Sequence, residues 1–144
     1  MKGITIRKAR KPEMGVIERC IREFGLDYEN LGWQQFLVAV KGDEVAGFGR
    51  IKPYPDFYEL GGVGVLEKFR RQGIGSAIVS RLMEDFPSPE IWITTDRREF
   101  FARFGFKVVE DGPNALKEKI KRVCQKLQRH NAVIMLFKSP APRP

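Results

Sequence analysis

The stretch Glu59–Phe86, "ELGGVGVLEKFRRQGIGSAIVSRLMEDF", decides the fold of this chain. Its first half has the apolar character of a β-strand but is interrupted by glycines at positions 61, 62 and 64. Glycine in a strand costs backbone entropy and contributes no packing, so the cluster indicates a bulge, a crowded helix–sheet contact, or a ligand lying against the backbone. The second half predicts a helix, because one stripe is formed by Ile74, Ile78, Leu82 and Phe86.

The turn between these two elements is typical of an anion site. In "RRQGIG", Gly73 and Gly75 stand at the start of the helix, where small residues let consecutive N–H groups point at an anion. Arg70 and Arg71 add positive charge, and with Lys68 they either bind phosphate or form a solvated basic turn. Neither a Walker loop nor a G-x-G-x-x-G dinucleotide motif can be read through this stretch.

Length and composition indicate one globular domain. The chain has 144 residues, of which 42% are hydrophobic and 31% charged, enough for a sizeable core. We predict a single domain over residues 1–138 and a disordered tail, "SPAPRP", over 139–144. No apolar run approaches a membrane span or a secretory leader, so we expect a soluble, cytoplasmic protein with no membrane partner.

Residue usage excludes several kinds of chemistry. His130 is the only histidine, which excludes a histidine dyad and a multi-histidine metal site. Cys20 and Cys124 lie far apart without metal-ligand spacing, so we expect two buried thiols and no metal. The formal net charge of +8 attracts anions, whether nucleic acid, an acidic membrane face or a phosphorylated ligand.

The remaining segments predict one sheet covered by helices. "ITIRKA" predicts a strand, Pro12 to Gly25 a helix, and "QFLVAV" and "EVAGFGRIK" a hairpin around "KGD". "EIWITT" predicts a central strand that pairs in parallel, through a right-handed crossover, with the strand that begins near Glu59. Asp96 is the predicted N-cap of "RREFFARFG", with Glu99 completing a capping box. "FKVVE", a long basic helix and "AVIMLFKS" follow, and the last strand is expected to close the sheet.

Two motifs resemble the GNAT superfamily of N-acetyltransferases. Arg70, Gly73 and Gly75 fill the pattern R/Q-x-x-G-x-G/A of its acyl-coenzyme-A loop, and "ITT" followed by "REFFARFGF" is similar to its later strand, helix and F-x-x-x-x-G-F element. The likeness covers Val45 to Val109. It implies an α/β fold of the α+β type, a twisted, mixed, largely antiparallel sheet flanked by helices. It also implies a splay between the strands ending near Val65 and Thr95, into which the pantetheine arm of acetyl-CoA inserts.

The resemblance also implies an N-acetyltransferase of the EC 2.3.1 class, with acetyl-CoA as co-substrate. Main-chain N–H groups of the loop would hold the pyrophosphate, and the N–H of Val65 would stabilise the thioester oxyanion. The implied cofactor-binding residues are Val63, Gly64, Val65, Arg70, Arg71, Gln72, Gly73, Ile74, Gly75, Ser76 and Phe101.

Phe101 departs from the family pattern, because many relatives carry a tyrosine there that protonates the departing thiolate. A thiol has a pKa of ~8.5, so coenzyme A can leave as thiolate without a dedicated acid. Alternatively, another hydroxyl serves as the acid; the candidates are Tyr54, Tyr58, Thr94 and Thr95. The aromatic residues 100 to 106 are expected to build core and pantetheine wall.

Glu59 is the candidate general base. An amine with a pKa of ~10 is charged at neutral pH and must lose a proton before it can attack. Glu59 lies six residues before Val65, an even offset that puts both side chains on one sheet face if no bulge intervenes. A carboxylate there resembles the general base of the histone acetyltransferase branch; the alternative is a solvent-facing carboxylate paired with Lys52 or Arg50.

The expected reaction is direct attack of a primary amine on acetyl-CoA in a ternary complex, with catalytic residues Glu59 and Val65. The acceptor, a small molecule, amino acid or protein amine, stays open; Tyr28 and Trp33 are candidates for its wall. The strand–helix segment with the following helix is faintly similar to amino-acid acetyltransferases of arginine biosynthesis.

The competing class is a non-catalytic acetyl-CoA sensor or a basic RNA-associated module on the same fold. A nucleic-acid partner and a homodimer therefore stay open. The basic residues of helix 114–129 either form a solvated face or bind acidic molecules; they are Lys117, Lys121, Arg122, Lys126 and Arg129.

Overall fold

A computed structural model describes residues 3–140 of the chain. The predicted tail lies, from residue 141 onward, outside the described residues. The chain divides into two compact units, one formed by Met1–Lys52 with Leu60–Asp85 and the other by Pro53–Glu59 with Phe86–Pro144. The single domain over 1–138 stays a prediction.

Within residues 3–140, seven strands form one mixed sheet. The strands are β1 Ile4–Lys8, β2 Phe36–Lys41, β3 Glu44–Pro53, β4 Tyr58–Val65, β5 Glu90–Thr95, β6 Lys107–Val109 and β7 Val133–Lys138. Hydrogen bonds join them in the order β1-β2-β3-β4-β5-β7-β6. β4 and β5 run parallel with Glu59 opposite Trp92, and the β2–β3 hairpin is antiparallel, both as predicted.

The last strand does not lie at the edge of the sheet. β7 pairs antiparallel with β5 along its whole length and with β6 on its other side. The expectation that "AVIMLFKS" closes the sheet is therefore wrong. The three-residue β6 forms the edge instead, and a strand this short offers few unpaired backbone groups to a second chain.

In the first unit, helix α1 spans Met14–Phe24 and ends at Gly25, which takes a left-handed φ of 64°. The predicted stop is confirmed, because glycine adopts this conformation without steric cost. α1 buries Ile17, Cys20 and Ile21 against β2 and β3. Just before the helix, Glu13 accepts hydrogen bonds from Arg7, which hold the pKa of that carboxyl below its usual range.

Helix α2, Ile74–Glu84, packs closely on β3 because two strand residues there lack side chains. A Cβ atom on Gly49 would lie 2.9 Å from side-chain carbons of both Ile78 and Leu82. A Cβ atom on Gly47 would lie 3.0 Å from a side-chain carbon of Ile78 and 3.2 Å from one of Ile74. The position of α2 on the sheet is therefore fixed by direct contact between its side chains and the backbone of β3.

In the second unit, the predicted helix cap at Asp96 is wrong. Helix α3 spans Arg98–Ala102 without a side-chain cap. The N–H of Arg97 instead donates to Thr95 Oγ1 at 2.9 Å, while both Asp96 oxygens accept hydrogen bonds from Arg129 at 3.0 Å. The ion pair with Arg129 removes Asp96 from the helix terminus.

The long basic helix is regular only in its first part. Helix α4 spans Asn114–Lys119 and continues as a π-helical segment, Ile120–Cys124. The N–H of Gln125 donates to the carbonyl of Ile120, five residues earlier, as a π-turn requires. The sequence predicted a helix here but gave no sign of the wider turn.

The expected buried thiols are present, since Cys20 and Cys124 are both buried and are not joined by a disulfide. Burial raises the pKa of the Cys20 thiol.

Over residues 3–140, no helix is long and apolar enough to cross a bilayer. Within the same residues, no three histidine, cysteine, aspartate or glutamate side chains are grouped so that they could hold a metal ion.

Candidate active site

The start of α2 has the geometry of an anion site. Gly73 precedes the helix with a φ of 78°, and Arg71 also takes a positive φ, 67°. No side chain among the described residues caps this helix, and the first N–H groups of an α-helix have no acceptor within it. These N–H groups, with the positive end of the helix dipole, favour an anionic ligand.

The two arginines before α2 differ in role. Arg70 folds back on the turn, donating from Nε to the carbonyl of Val65 at 2.8 Å, and its guanidinium lies 4.9 Å from the ring centroid of Phe24. Arg71 is exposed. Lys68 forms an exposed ion pair with Glu44 at 2.7 Å. Arg70 therefore braces the loop on the sheet, while Arg71 stays accessible to a ligand.

Packing accounts for two of the three glycines in β4. A Cβ on Gly64 would lie 2.7 Å from the ring of Phe48, and one on Gly62 would meet the Arg50 side chain at 3.3 Å. Gly61 differs, because a Cβ there has no atom within 4 Å. The crowded-contact explanation thus applies to Gly62 and Gly64.

The alternation of β4 is interrupted at Gly62. This residue has a φ of 58°, outside the β region. An interruption of this kind, typical of a bulge, changes which face the following residues occupy. The prediction that Glu59 and Val65 share a sheet face required an uninterrupted strand between them. Because Gly62 interrupts the strand, their even spacing no longer indicates a shared face.

Glu59 lies at the centre of a buried polar cluster in the second unit. Its Oε2 accepts hydrogen bonds from Lys119 Nζ and Thr94 Oγ1, both at 2.6 Å, and its Oε1 accepts one from the Tyr54 hydroxyl at 2.7 Å. Lys119 also donates to Thr94 Oγ1 at 2.8 Å. Glu59 is 2% exposed and Lys119 5% exposed, so this ion pair is shielded from water.

The structure corrects the alternative expectation for Glu59. The carboxylate is not solvent-facing, and the cation that it binds is Lys119. Arg50 and Lys52 form ion pairs with Asp27, at 3.2 and 2.8 Å. Arg50 also holds the loop after α1 through main-chain carbonyls, which belong to Asp27, Glu29 and Asn30.

Sequence reasoning missed Lys119. A signal was present, since Lys119 lies three residues after Leu116 and four before Val123, on the apolar stripe of its helix. Leu116 and Val123 are buried, and the lysine is buried with them. A lysine on such a stripe predicts either a long side chain that reaches solvent or a buried partner of opposite charge.

Other predicted side chains of the second unit pack against aromatic rings. Phe101 is buried in α3, with its ring centroid 5.0 Å from that of Phe100 and 5.8 Å from that of Phe106. Phe101 and Phe106 belong to the buried core, while the expected pantetheine wall stays a prediction. The Tyr58 ring packs edge-on against Phe86. Of the four candidate hydroxyls, only Tyr54 and Thr94 bind Glu59.

The basic helix is partly neutralised within the chain. Lys117 forms an ion pair with Asp111, and this hydrogen bond holds the pKa of the Asp111 carboxyl below its usual range. Arg129 pairs with Asp96 at 3.0 Å. Lys121 and Lys126 are exposed.

In the first unit, the acceptor-wall candidate Tyr28 is 42% exposed. It lies on the loop whose main-chain carbonyls accept hydrogen bonds from Arg50.

Comparison with known proteins identifies a family. The model of the acetyltransferase (GNAT) family matches residues 6–106. The amino-acid acetyltransferase of Mycobacterium tuberculosis (strain ATCC 25618 / H37Rv) is 31% identical over 124 residues, which cover 76% of this chain and 71% of that protein.

Solved structures agree with this match. Rv2747 from Mycobacterium tuberculosis, solved in complex with CoA and NLQ, is 26% identical, with a TM-score of 0.72 over 93% of this chain and 98% of that one. The N-acetylglutamate synthase of Neisseria gonorrhoeae, complexed with coenzyme A and N-acetyl-glutamate, has a TM-score of 0.76 at 14% identity. The aligned part is 96% of this chain but 35% of the synthase, and at this identity the likeness concerns the fold alone.

The contrast between Gly61 and Gly64 can be tested by substitution with alanine. We expect Gly64→Ala to lower the free energy of unfolding by ~1–3 kcal/mol, because the new methyl group overlaps the Phe48 ring. Gly61→Ala has open space and is expected to leave that free energy nearly unchanged. Urea unfolding of the two variants measures the difference; equal losses would contradict the packing explanation.

Removal of the ammonium from the buried pair should be costly. We expect Lys119→Met to lower the free energy of unfolding by ~3–5 kcal/mol, because Glu59 is left as an uncompensated buried charge. Lys117→Met, on the same helix but in an exposed pair, is the matched control and should shift the urea midpoint little. A Lys119→Met midpoint equal to that of the control would show that the buried pair is absent in solution.

Proposed function

This chain belongs to the GNAT acetyltransferase family, and from that membership we propose that it transfers the acetyl group of acetyl-CoA to the amino group of an amino acid. The observation that carries the proposal is the family match over residues 6–106, which includes both the loop before α2 and the strand that bears Glu59. The acceptor class is supported by the Mycobacterium tuberculosis relative, which is named an amino-acid acetyltransferase.

In this proposal acetyl-CoA is bound mainly by main-chain N–H groups. The N–H groups from Arg71 to Ser76 bind the pyrophosphate, and Arg71 supplies a positive charge beside it. The uncapped start of α2 and the left-handed Gly73 support this assignment. Val63, Gly64 and Val65 run along the pantetheine arm, and the N–H of Val65 stabilises the oxyanion that forms at the thioester carbonyl.

Glu59 accepts the proton of the acceptor ammonium, and the neutral amine attacks the thioester directly in a ternary complex. The carboxylate is suited to this because hydrogen bonds from Lys119, Thr94 and Tyr54 fix its orientation. Coenzyme A leaves as thiolate, since Phe101 carries no acidic proton to donate.

The test of transfer is thiol release. Acetyl-CoA is mixed with the protein and, in turn, with each of the twenty L-amino acids, spermidine and a short lysine-containing peptide, and free thiol is followed by a chromogenic reagent. We expect release above the hydrolysis background with one or a few amino acids. Saturable binding of coenzyme A by calorimetry, without release in any mixture, would favour the non-catalytic sensor.

The base assignment predicts a pH-dependent defect. Glu59→Gln is expected to lower kcat/KM by ~10²–10⁴-fold near neutral pH, because the acceptor then reaches the site charged. The loss should shrink as the pH rises and the amine deprotonates in solution. Affinity for coenzyme A should not change. Activity of Glu59→Gln equal to wild type at every pH would exclude Glu59 as the base.

A further inference from the structure

Val65, the last residue of β4, directs its own N–H and carbonyl away from β3. The next N–H along the chain, that of Leu66, donates to the carbonyl of Ala46 on β3 at 2.9 Å. The C=O and N–H of a trans peptide point in opposite directions, so the Val65 carbonyl points away from β3. In an extended residue the N–H and C=O lie on one side, so the N–H of Val65 points the same way as its carbonyl.

The side chain of Arg70 lies on that same side of β4. Its Nε donates to the Val65 carbonyl at 2.8 Å. The peptide group between Val65 and Leu66 is therefore held at both of its polar atoms, the N–H by Ala46 and the C=O by Arg70. Because a peptide group is rigid, holding it in this way restricts the backbone torsions of Val65.

The Arg70 side chain is itself anchored on two aromatic rings. Its guanidinium carbon lies 4.9 Å from the ring centroid of Phe24, and that ring stacks on Phe48 with planes 3° from parallel. A Cβ atom on Gly64 would lie 3.1 Å from Phe24 and 2.7 Å from Phe48, so both rings lie against the residue that precedes Val65. The peptide group that carries the Val65 N–H is thus restricted by the rings on one side and by Arg70 on the other.

The hydrogen bond to Val65 does not depend on the charge of Arg70. Its donor is Nε, the nitrogen bonded to the Cδ carbon of the side chain. Glutamine carries its amide nitrogen on the equivalent carbon, so a neutral N–H donor can occupy the same position. Binding of a phosphate would instead depend on the positive charge. These two roles of Arg70 can therefore be separated by substitution.

We propose that Arg70 is a positioning residue for acyl transfer, whose Nε holds the Val65 carbonyl and thereby aims the N–H of Val65 at the oxyanion. This inference rests on the proposed function, in which that N–H is the oxyanion donor. The features that support it are the 2.8 Å hydrogen bond and the common direction of the N–H and C=O of Val65.

The N–H of Val65 acts here without giving up a proton. As the amine nitrogen bonds to the thioester carbon, one C=O electron pair moves onto the oxygen, and it returns when the C–S bond breaks and the thiolate leaves. A donor stabilises this charge only if it already points to the place where the oxyanion forms. We therefore expect Arg70 to affect the chemical step more than the binding of coenzyme A.

The test compares two substitutions of Arg70 in the full chain, with kcat measured at saturating acetyl-CoA and the amino acid that gives the fastest thiol release. Arg70→Met removes both the donor and the charge, and we expect kcat to fall by ~10-fold. Arg70→Gln removes only the charge, and we expect it to keep kcat within about twofold of wild type. Arg81→Met, which removes an exposed arginine from α2, is the control for net charge and should match wild type.

Coenzyme A affinity, measured by calorimetry at low and high salt, separates positioning from phosphate binding. Positioning predicts similar affinities for Arg70→Met and Arg70→Gln at both salt concentrations. Phosphate binding by Arg70 would weaken the affinity equally in both variants, chiefly at low salt, and leave kcat at saturation unchanged. That result would overturn the positioning role.

The kinetic outcomes are also distinguishable from failure of the proposed function. Thiol release by the wild type with equal kcat in Arg70→Met would leave transfer intact and remove the positioning role. Equal losses of kcat in Arg70→Met and Arg70→Gln would assign the effect to charge and overturn it as well. No release by the wild type with any acceptor would remove transfer itself, and the role of Arg70 with it. Urea midpoints of the variants show that the rates compared are those of folded protein.

Discussion

The buried ion pair between Glu59 and Lys119 is the interaction on which the proposed chemistry of this protein depends. Two opposite charges shielded from water attract strongly, but each has lost its hydration, so the pair is favourable only when further hydrogen bonds satisfy it. Thr94 and Tyr54 supply those bonds. The same contacts that make burial tolerable also orient the carboxylate, so the stability of the pair and the proposed role of Glu59 as a base depend on one arrangement.

The loop before α2 depends on a different constraint, the close approach of backbone and side chains in the first unit. Because Gly49 has no side chain, α2 can pack closely on the sheet, and the absence of a side chain on Gly64 leaves room for the Phe48 ring. Arg70 donates a hydrogen bond to the carbonyl of Val65 and so holds the turn in place. All of these contacts are made within the chain. They leave the N–H groups before Ile74 in a fixed geometry, which is what recognition by main chain requires.

Much of the fold could be predicted because its signals are local. β5 occupies Glu90–Thr95 as predicted, α1 ends at Gly25, and the hairpin turns at "KGD". The family motif likewise needs only a few neighbouring residues. The partner of Glu59 could not be predicted in this way, because Lys119 lies 60 residues away along the chain. Asp96 failed as a cap for the same reason, since an arginine from a distant segment binds it.

The π-helical segment has a consequence for how this region can change in length. Its wide turn, Ile120–Cys124, contains one residue more than an α-helical turn would. Deletion of a single residue there would restore α-helical winding, and because the wide turn already absorbs that extra residue, the residues that follow would keep roughly their direction. Arg129 would then still face Asp96, and Lys119, which precedes the turn, would keep its own direction. A one-residue deletion within Ile120–Cys124 is therefore expected to preserve both the Glu59 cluster and the ion pair between Arg129 and Asp96.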